Sequence, residues 1–155
     1  GSEMCIRDRH VVWRVKFEPG TVKVVARRKD EVIAEKEIRT AGKPAEIRLT
    51  PDRPVLAADG KDLCFVTVEV LDEEGNLCPN ADNLVNFTVK GNGFIAGVDN
   101  GNPVSLERFK DKKRKAFYGK CLVVIQNDGK PGKAKLTATS EGLRQAVLKI
   151  SAEEL

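Results

Sequence analysis

Two acidic groups in this chain have types and spacing suited to proton transfer: Asp72, Glu73 and Glu74 in a row, and Asp59 with Asp62. A general acid and base need two carboxyls with different proton affinities, one donating while the other accepts. Both groups flank a glycine, Gly75 and Gly60, in segments that read as hairpin-like turns. Water is expected to screen them there and leave their proton affinities untuned, so the turn reading takes precedence over the catalytic one. The run Asp99-Asn100-Gly101-Asn102 has the oxygen-rich spacing of a calcium loop. It lacks the later bidentate acid and enough carboxylates for a hard cation, and a tight turn is the favoured reading. His10 is the only histidine, with no acid or cysteine arranged about it, so neither a histidine-based triad nor a multi-histidine metal site can be built.

Binding chemistry has other candidates. Lys110, Lys112, Lys113, Arg114 and Lys115 lie close to Phe109, Phe117 and Tyr118, a combination that could grip an acidic polysaccharide or a phosphate backbone. Asp111 interrupts the run, and a solvated connection between two strands is the favoured account. Cys64 and Cys121 fall on apolar runs that read as strands and would answer to the second and sixth strands that an antibody-type domain staples together, so a disulfide competes with two buried thiols packing as small apolar groups. Cys5 and Cys78 have no evident partners, and no Cys-x-x-Cys spacing suits zinc. Trp13 could stack on a sugar ring, but its place in an apolar alternation favours core packing.

The elements that must position these residues are strands. Val11, Trp13, Val15 and Phe17 alternate with His10, Val12, Arg14 and Lys16, the period-two signature of a half-buried strand. Pro19-Gly20 turns the chain. Val22, Val24 and Ala26 then predict a second strand, and Val32, Ala34 and Ile38, after the Lys29-Asp30 turn, a third. This three-stranded meander has one apolar face and no second layer in the sequence to cover it. Residues 1–9 fit neither pattern and read as a non-native or junction segment.

Thr40-Ala41-Gly42-Lys43-Pro44 reads as the joint to a second unit. Beyond it, strands are predicted at Ile47 and Leu49, at 55–58, over 63–71 with Cys64, Val66, Val68 and Val70 on one face, and at Val85-Phe87-Val89. Others follow around Phe94-Ile95, over 104–109, at Cys121-Val123-Ile125, over 133–139 and at Ala146-Leu148-Ile150. Short strands punctuated by turns every ~8–12 residues predict an all-β fold, an immunoglobulin-like β-sandwich over residues 42–155 preceded by a partial, truncated Ig-like sheet over residues 10–41. No segment carries a helical stripe with start and stop signals.

At 155 residues the chain holds one good core, or one core and part of another, which excludes a complete multidomain enzyme. The net charge of +4, spread along the sequence, gives a mildly basic surface and does not demand nucleic acid. No apolar run approaches the ~20 residues that cross a bilayer, and the N-terminus lacks a secretory stretch, so an export signal is expected on a longer parent chain.

The ordered set of motifs is more specific than any one of them. Val11-Val12-Trp13-Arg14-Val15 with Glu18-Pro19-Gly20-Thr21, then 40–45, Leu56-Ala57-Ala58-Asp59-Gly60 and the 68–75 strand and turn are followed by Gly91, Gly93, Gly97, Asn100-Gly101, Glu107, Phe109, Phe117, Gly119 and the 121–126 strand. In this order, from His10 onward, the chain resembles the C-terminal, non-catalytic Ig-like domains of bacterial glycoside hydrolase family 2 enzymes of the β-galactosidase type. The resemblance implies a parent that hydrolyses terminal β-linked sugars with paired glutamates on a (β/α)₈ barrel. No part of that barrel is in this sequence, so no catalytic, cofactor-binding or metal residue carries over.

An accessory role follows as the expectation, structural or in subunit contact. The partners are the upstream domains of the parent, with a second subunit or a polysaccharide as further candidates, and neither nucleic acid nor membrane. The parent is expected in the periplasm or outside the cell. Two alternatives stand beside this. One is a carbohydrate-binding module, for which Phe65, Phe109 and Tyr118 would be the platform. The other is a bacterial adhesin-type Ig-like module, which the 56–75 region also resembles, although no second copy of that pattern is present.

Overall fold

The computed structural model describes residues 3, 4 and 11–154, which divide into two compact units, Gly1–Thr40 and Ala41–Leu155. No helix occurs among the described residues. In the first unit β1 (Glu3–Met4) pairs with β2 (Val11–Val12), and β3 (Thr21–Arg28) pairs with β4 (Glu31–Arg39) as an antiparallel hairpin. The two-residue connection Lys29-Asp30 has positive φ at both positions, 47° and 67°, which matches the twist of the strands it joins.

Pairing sorts the hairpin's side chains by face. Val22 stands opposite Ile38 and Ala26 opposite Ala34 on one face, while Lys23, Glu35, Glu37 and Arg39 occupy the other, with a Lys23 to Glu35 ion pair at 2.7 Å. Every residue of both strands is exposed, the apolar face included.

The expected three-stranded meander is therefore a hairpin, and the expected strand over 10–17 is regular only at Val11–Val12. Residues 13–18 alternate in polarity but have no partner strand among the described residues, and pairing, rather than alternation, makes a strand. Trp13, expected in a core, is 52% exposed. His10 and Cys5 lie outside the described residues.

The second unit is a sandwich of two sheets. One has the order β10-β8-β12-β13-β6, built from β6 (Val55–Ala57), β8 (Leu84–Gly91), β10 (Lys113–Lys115), β12 (Gly132–Thr139) and β13 (Ala146–Glu153). The other has the order β5-β7-β11-β9, built from β5 (Glu46–Pro51), β7 (Leu63–Leu71), β9 (Phe94–Asp99) and β11 (Lys120–Gln126). Pairing is antiparallel except where β13 meets β6. Val66, Val68, Val123 and Ile125 from one sheet meet Val85, Phe87, Leu136 and Ile150 from the other, all buried in one core. Interdigitation of these side chains removes apolar surface from water at ~25 cal/mol per Å², the main favourable contribution to this fold.

Two segments depart from the sequence-based expectation. Residues 104–109 form no strand, because the backbone at 99–105 is turned by a succession of side-chain hydrogen bonds. The basic run is not wholly a solvated connection either. Lys113–Lys115 is β10, paired with β8, and Arg114 points inward.

Candidate functional site

Two corners of the sandwich gather the residues that sequence reasoning singled out. At the first, β9 delivers Asp99 into a loop that returns to the sandwich at β10. Asp99 Oδ1 accepts from the N–H of Asn100 and Gly101, Asn100 Oδ1 from Asn102 N–H, and Asn102 Oδ1 from Val104 N–H, at 2.7–3.2 Å. These are side-chain-closed turns of the kind Asp and Asn favour.

The oxygen set that could suggest a cation surrounds a guanidinium. Arg114, 1% exposed, donates from Nη1 to Glu107 O at 3.0 Å and from Nη2 to Asn100 Oδ1 at 3.0 Å and Asp99 Oδ1 at 3.3 Å. Its Nε, 3.7 Å from Glu107 Oε2, is a buried N–H without a hydrogen bond, and the Phe109 ring lies 5.3 Å from the guanidinium carbon. A planar cation with several fixed donors holds a loop by several points at once, which a lysine could not do.

Sequence reasoning placed Arg114 among solvated lysines. The overlooked signal is the period-two pattern from Lys113 to Ala116, in which Arg114 shares the inward side with buried Ala116.

Backbone bonds pin both ends of this loop. Val98 N–H donates to Phe109 O, and Phe87 N–H to Lys112 O, each at 2.7 Å. The tip beyond the Val98–Phe109 bond turns its apolar side chains outward, with Val104 80% and Leu106 99% exposed, and Phe109, at the pinned end, is 64% exposed. Behind it, Phe94, Ile95, Ala96, Lys110, Asp111, Lys112 and Gln126 line an open hollow of about 460 Å³.

The second corner is Asp72, at the end of β7. Its carboxylate accepts from Gly42 N–H at 2.7 Å, Asn76 Nδ2 at 3.0 Å, and the N–H groups of Glu74 and Asn76 at 3.0 and 2.8 Å. Four donors aimed at one carboxylate, Gly42 N–H first among them, hold its pKa at about 2. Asp72 is buried, so the expectation of a screened and untuned turn acid is wrong in its reason. The tuning runs towards permanent ionisation, which suits an anchor and not a proton donor near neutral pH. An open pocket of about 440 Å³ beside it is lined by Gly42, Lys43, Pro44, Ala45, Asp72, Glu73 and Glu74.

Asp59 and Asp62 close the 57–63 turn: Asp59 Oδ1 accepts from Lys61 and Asp62 N–H, and Asp62 from Ala57 and Leu63 N–H. The Lys61 and Asp62 amides hold Asp59 below the usual carboxylate range.

The thiols of Cys64, Cys78 and Cys121 are free and buried. Cys64 stands opposite Ile125 and Cys121 opposite Val68, so both lie on adjacent strands of one sheet, offset by four positions. That offset is roughly 13 Å along the strands, against the about 5.5 Å a disulfide spans. The two do not bridge. Burial pushes the Cys121 thiol up to about 12 and that of Cys64 to about 11, so neither supplies a thiolate near neutral pH.

Among the described residues no three of His, Cys, Asp or Glu come together as a metal-binding group. Of the three aromatics proposed as a platform, Phe65 lies on β7 opposite Val124, Phe109 at the edge of β9, and Tyr118 in the turn before β11, tilted on Phe117 with centroids 4.4 Å apart.

Two stacked, predominantly antiparallel sheets closed by polar corners define an immunoglobulin-like β-sandwich domain. Its sequence matches the model of glycoside hydrolase family 2 C-terminal domain 5 over residues 47–149, and the chain belongs to that family. It is 89% identical over 146 residues to beta-galactosidase BoGH2A of Bacteroides ovatus, an alignment covering 94% of this chain and 17% of that protein. A beta-galactosidase of Thermoanaerobacter pseudethanolicus is 33% identical over 108 residues, covering 70% of this chain and 13% of that one. The crystal structure of a beta-glycosidase from Bacteroides vulgatus superposes with a TM-score of 0.90 at 28% identity, over 98% of this chain and 20% of that chain. The chain thus spans a fifth or less of the length of these relatives, and it is a C-terminal domain of the kind that family 2 glycosidases carry.

Proposed function

We propose that this chain is a non-catalytic accessory region of a β-galactosidase-like enzyme, acting in the periplasm or outside the cell, and that its work is structural. Its partners are the upstream domains of the parent, and it braces them or a second subunit. The observation that carries this is the fate of its polar chemistry. Asp72 and Arg114, the charged side chains most deeply enclosed in the sandwich, direct the hydrogen bonds they make to backbone and side-chain groups of their own corners. Groups committed in this way hold loops in place and are poorly suited to exchanging protons with a substrate.

The 10–40 region extends the same proposal. Its hairpin carries an apolar face of Val22, Val24, Ala26, Ala34 and Ile38 open to solvent, and a two-stranded hairpin is marginal by itself in water. We assign it to the end of a preceding Ig-like domain whose other sheet covers that face.

A second reading is favoured by one observation. The hollow of about 460 Å³ combines a half-exposed Phe94 with Lys110, Asp111 and Gln126, an aromatic surface with polar groups of the sort that holds a sugar ring. On that reading the domain is a carbohydrate-binding module. Titration of the chain with galactans, xylans and glycosaminoglycans, together with assay on an aryl β-galactoside, separates the two. The structural role predicts no saturable binding and no product release. Saturable binding lost in Phe94→Ala would establish the module, and turnover would overturn the non-catalytic assignment.

A further inference from the structure

The geometry points to the tip of the 100–112 loop as the surface by which this domain docks onto the preceding domains of its own longer polypeptide, an inference that rests on the bracing role proposed above. The tip places Val104 and Leu106 almost wholly in water. Apolar side chains two residues apart and held in water on one loop lose hydration favourably when they enter a partner's socket, and such exposure marks interaction sites.

What distinguishes this loop from a slack connection is its framework. The buried Arg114 is held by three loop oxygens, Asx turns run from Asp99 to Val104, Ser105 Oγ donates to Glu107 Oε2, and both ends are pinned by backbone bonds. An apolar tip ordered in advance loses little conformational entropy on docking.

Charge and length select the occupant. Arg108, Lys110, Lys112 and Lys113, all exposed, follow the tip along the chain and outnumber the half-buried Asp111 among them, so a second copy meeting this loop face to face would oppose a net excess of like charge. A socket that is apolar at its floor and acidic at its rim suits it. In the beta-galactosidase of Bacteroides ovatus the matched region is 17% of the protein, so most of such a polypeptide lies outside this chain and can supply the socket.

The test is hydrogen–deuterium exchange on the longer native polypeptide and on this chain alone, with the variant Val104→Ser/Leu106→Ser in both settings. Docking predicts that amides of 103–109 exchange about tenfold or more slowly in the longer polypeptide than in the isolated chain, and that the variant abolishes the difference. The variant should leave the melting of the isolated chain unchanged, because both side chains already stand in water. Equal exchange in the two settings overturns the inference. So does dimerisation of the isolated chain that the variant removes, since the occupant would then be a second copy. If deletion of residues 41–155 destabilises the enzyme but the double variant does not, the bracing role survives and this surface falls. If neither change has an effect, both fall.

Discussion

Asp72 accepts its four hydrogen bonds as an anion, so its contribution to stability depends on pH in one direction. Its folded pKa, about 2, lies below the ordinary aspartate value of about 3.9, so the stabilisation is complete above pH ~4 and is lost as pH falls towards 2. Urea midpoints measured between pH 7 and pH 2.5 should fall through that window. Asp72→Asn should be less stable at pH 7, because an amide N–H₂ would face the donors that the carboxylate now accepts from, and should flatten the acid limb of the curve. A variant with an unchanged acid limb would show that the corner is not held by charge.

Arg114 is the second residue whose removal isolates one effect. Arg114→Met keeps the apolar stem and deletes the donors, leaving Asp99, Asn100 and the Glu107 carbonyl without them; the expected loss is about 2–3 kcal/mol, read by urea denaturation. The sequence made the oxygen-rich turn legible and hid its centre. Side-chain-closed turns are local and leave a local composition, whereas the arginine that completes this one comes from a later strand.

At the scale of elements, β7 was legible because alternation and burial coincide along it: Cys64, Val66, Val68 and Val70 are inward and completely buried. Val68→Asp would place an unpaired charge in the core, an effect of ~4 kcal/mol or more, and should abolish cooperative unfolding of the sandwich in a thermal melt. The pairing of β8 with β12 has a sharper test. Gly91 has φ +98°, and a Cβ there would collide with the Lys133 carbonyl oxygen across the ladder, while Gly75, φ +83°, faces open space. Gly91→Ala should cost about 2–3 kcal/mol and Gly75→Ala about 1 kcal/mol, compared by urea denaturation.

Illegible elements share one cause, that partners decide them. Residues 13–17 alternate as well as any strand here yet find no neighbour among the described residues, whereas Lys113–Lys115 has no apolar signature yet is paired with β8. Cys64 and Cys121 show the same limit. Each was placed correctly on a strand facing the core, but which sheet holds each strand is a property of topology that periodicity does not carry.

At the scale of the whole molecule, the ordered motifs from His10 onward announce the family, and the match over residues 47–149 bears the family out. That region is the one in which turn residues are fixed by close contacts and pinned loops, so its sequence carries identity that a generic sandwich would not. The proposed bracing role is tested most directly by one measurement: thermal unfolding, with activity per folded molecule, of the longer enzyme with and without residues 41–155. A structural brace predicts a lower melting temperature on deletion, with turnover of a small aryl galactoside preserved in the molecules that remain folded. An unchanged melting temperature accompanied by lost turnover would contradict it, because the domain would then be contributing to the chemistry itself.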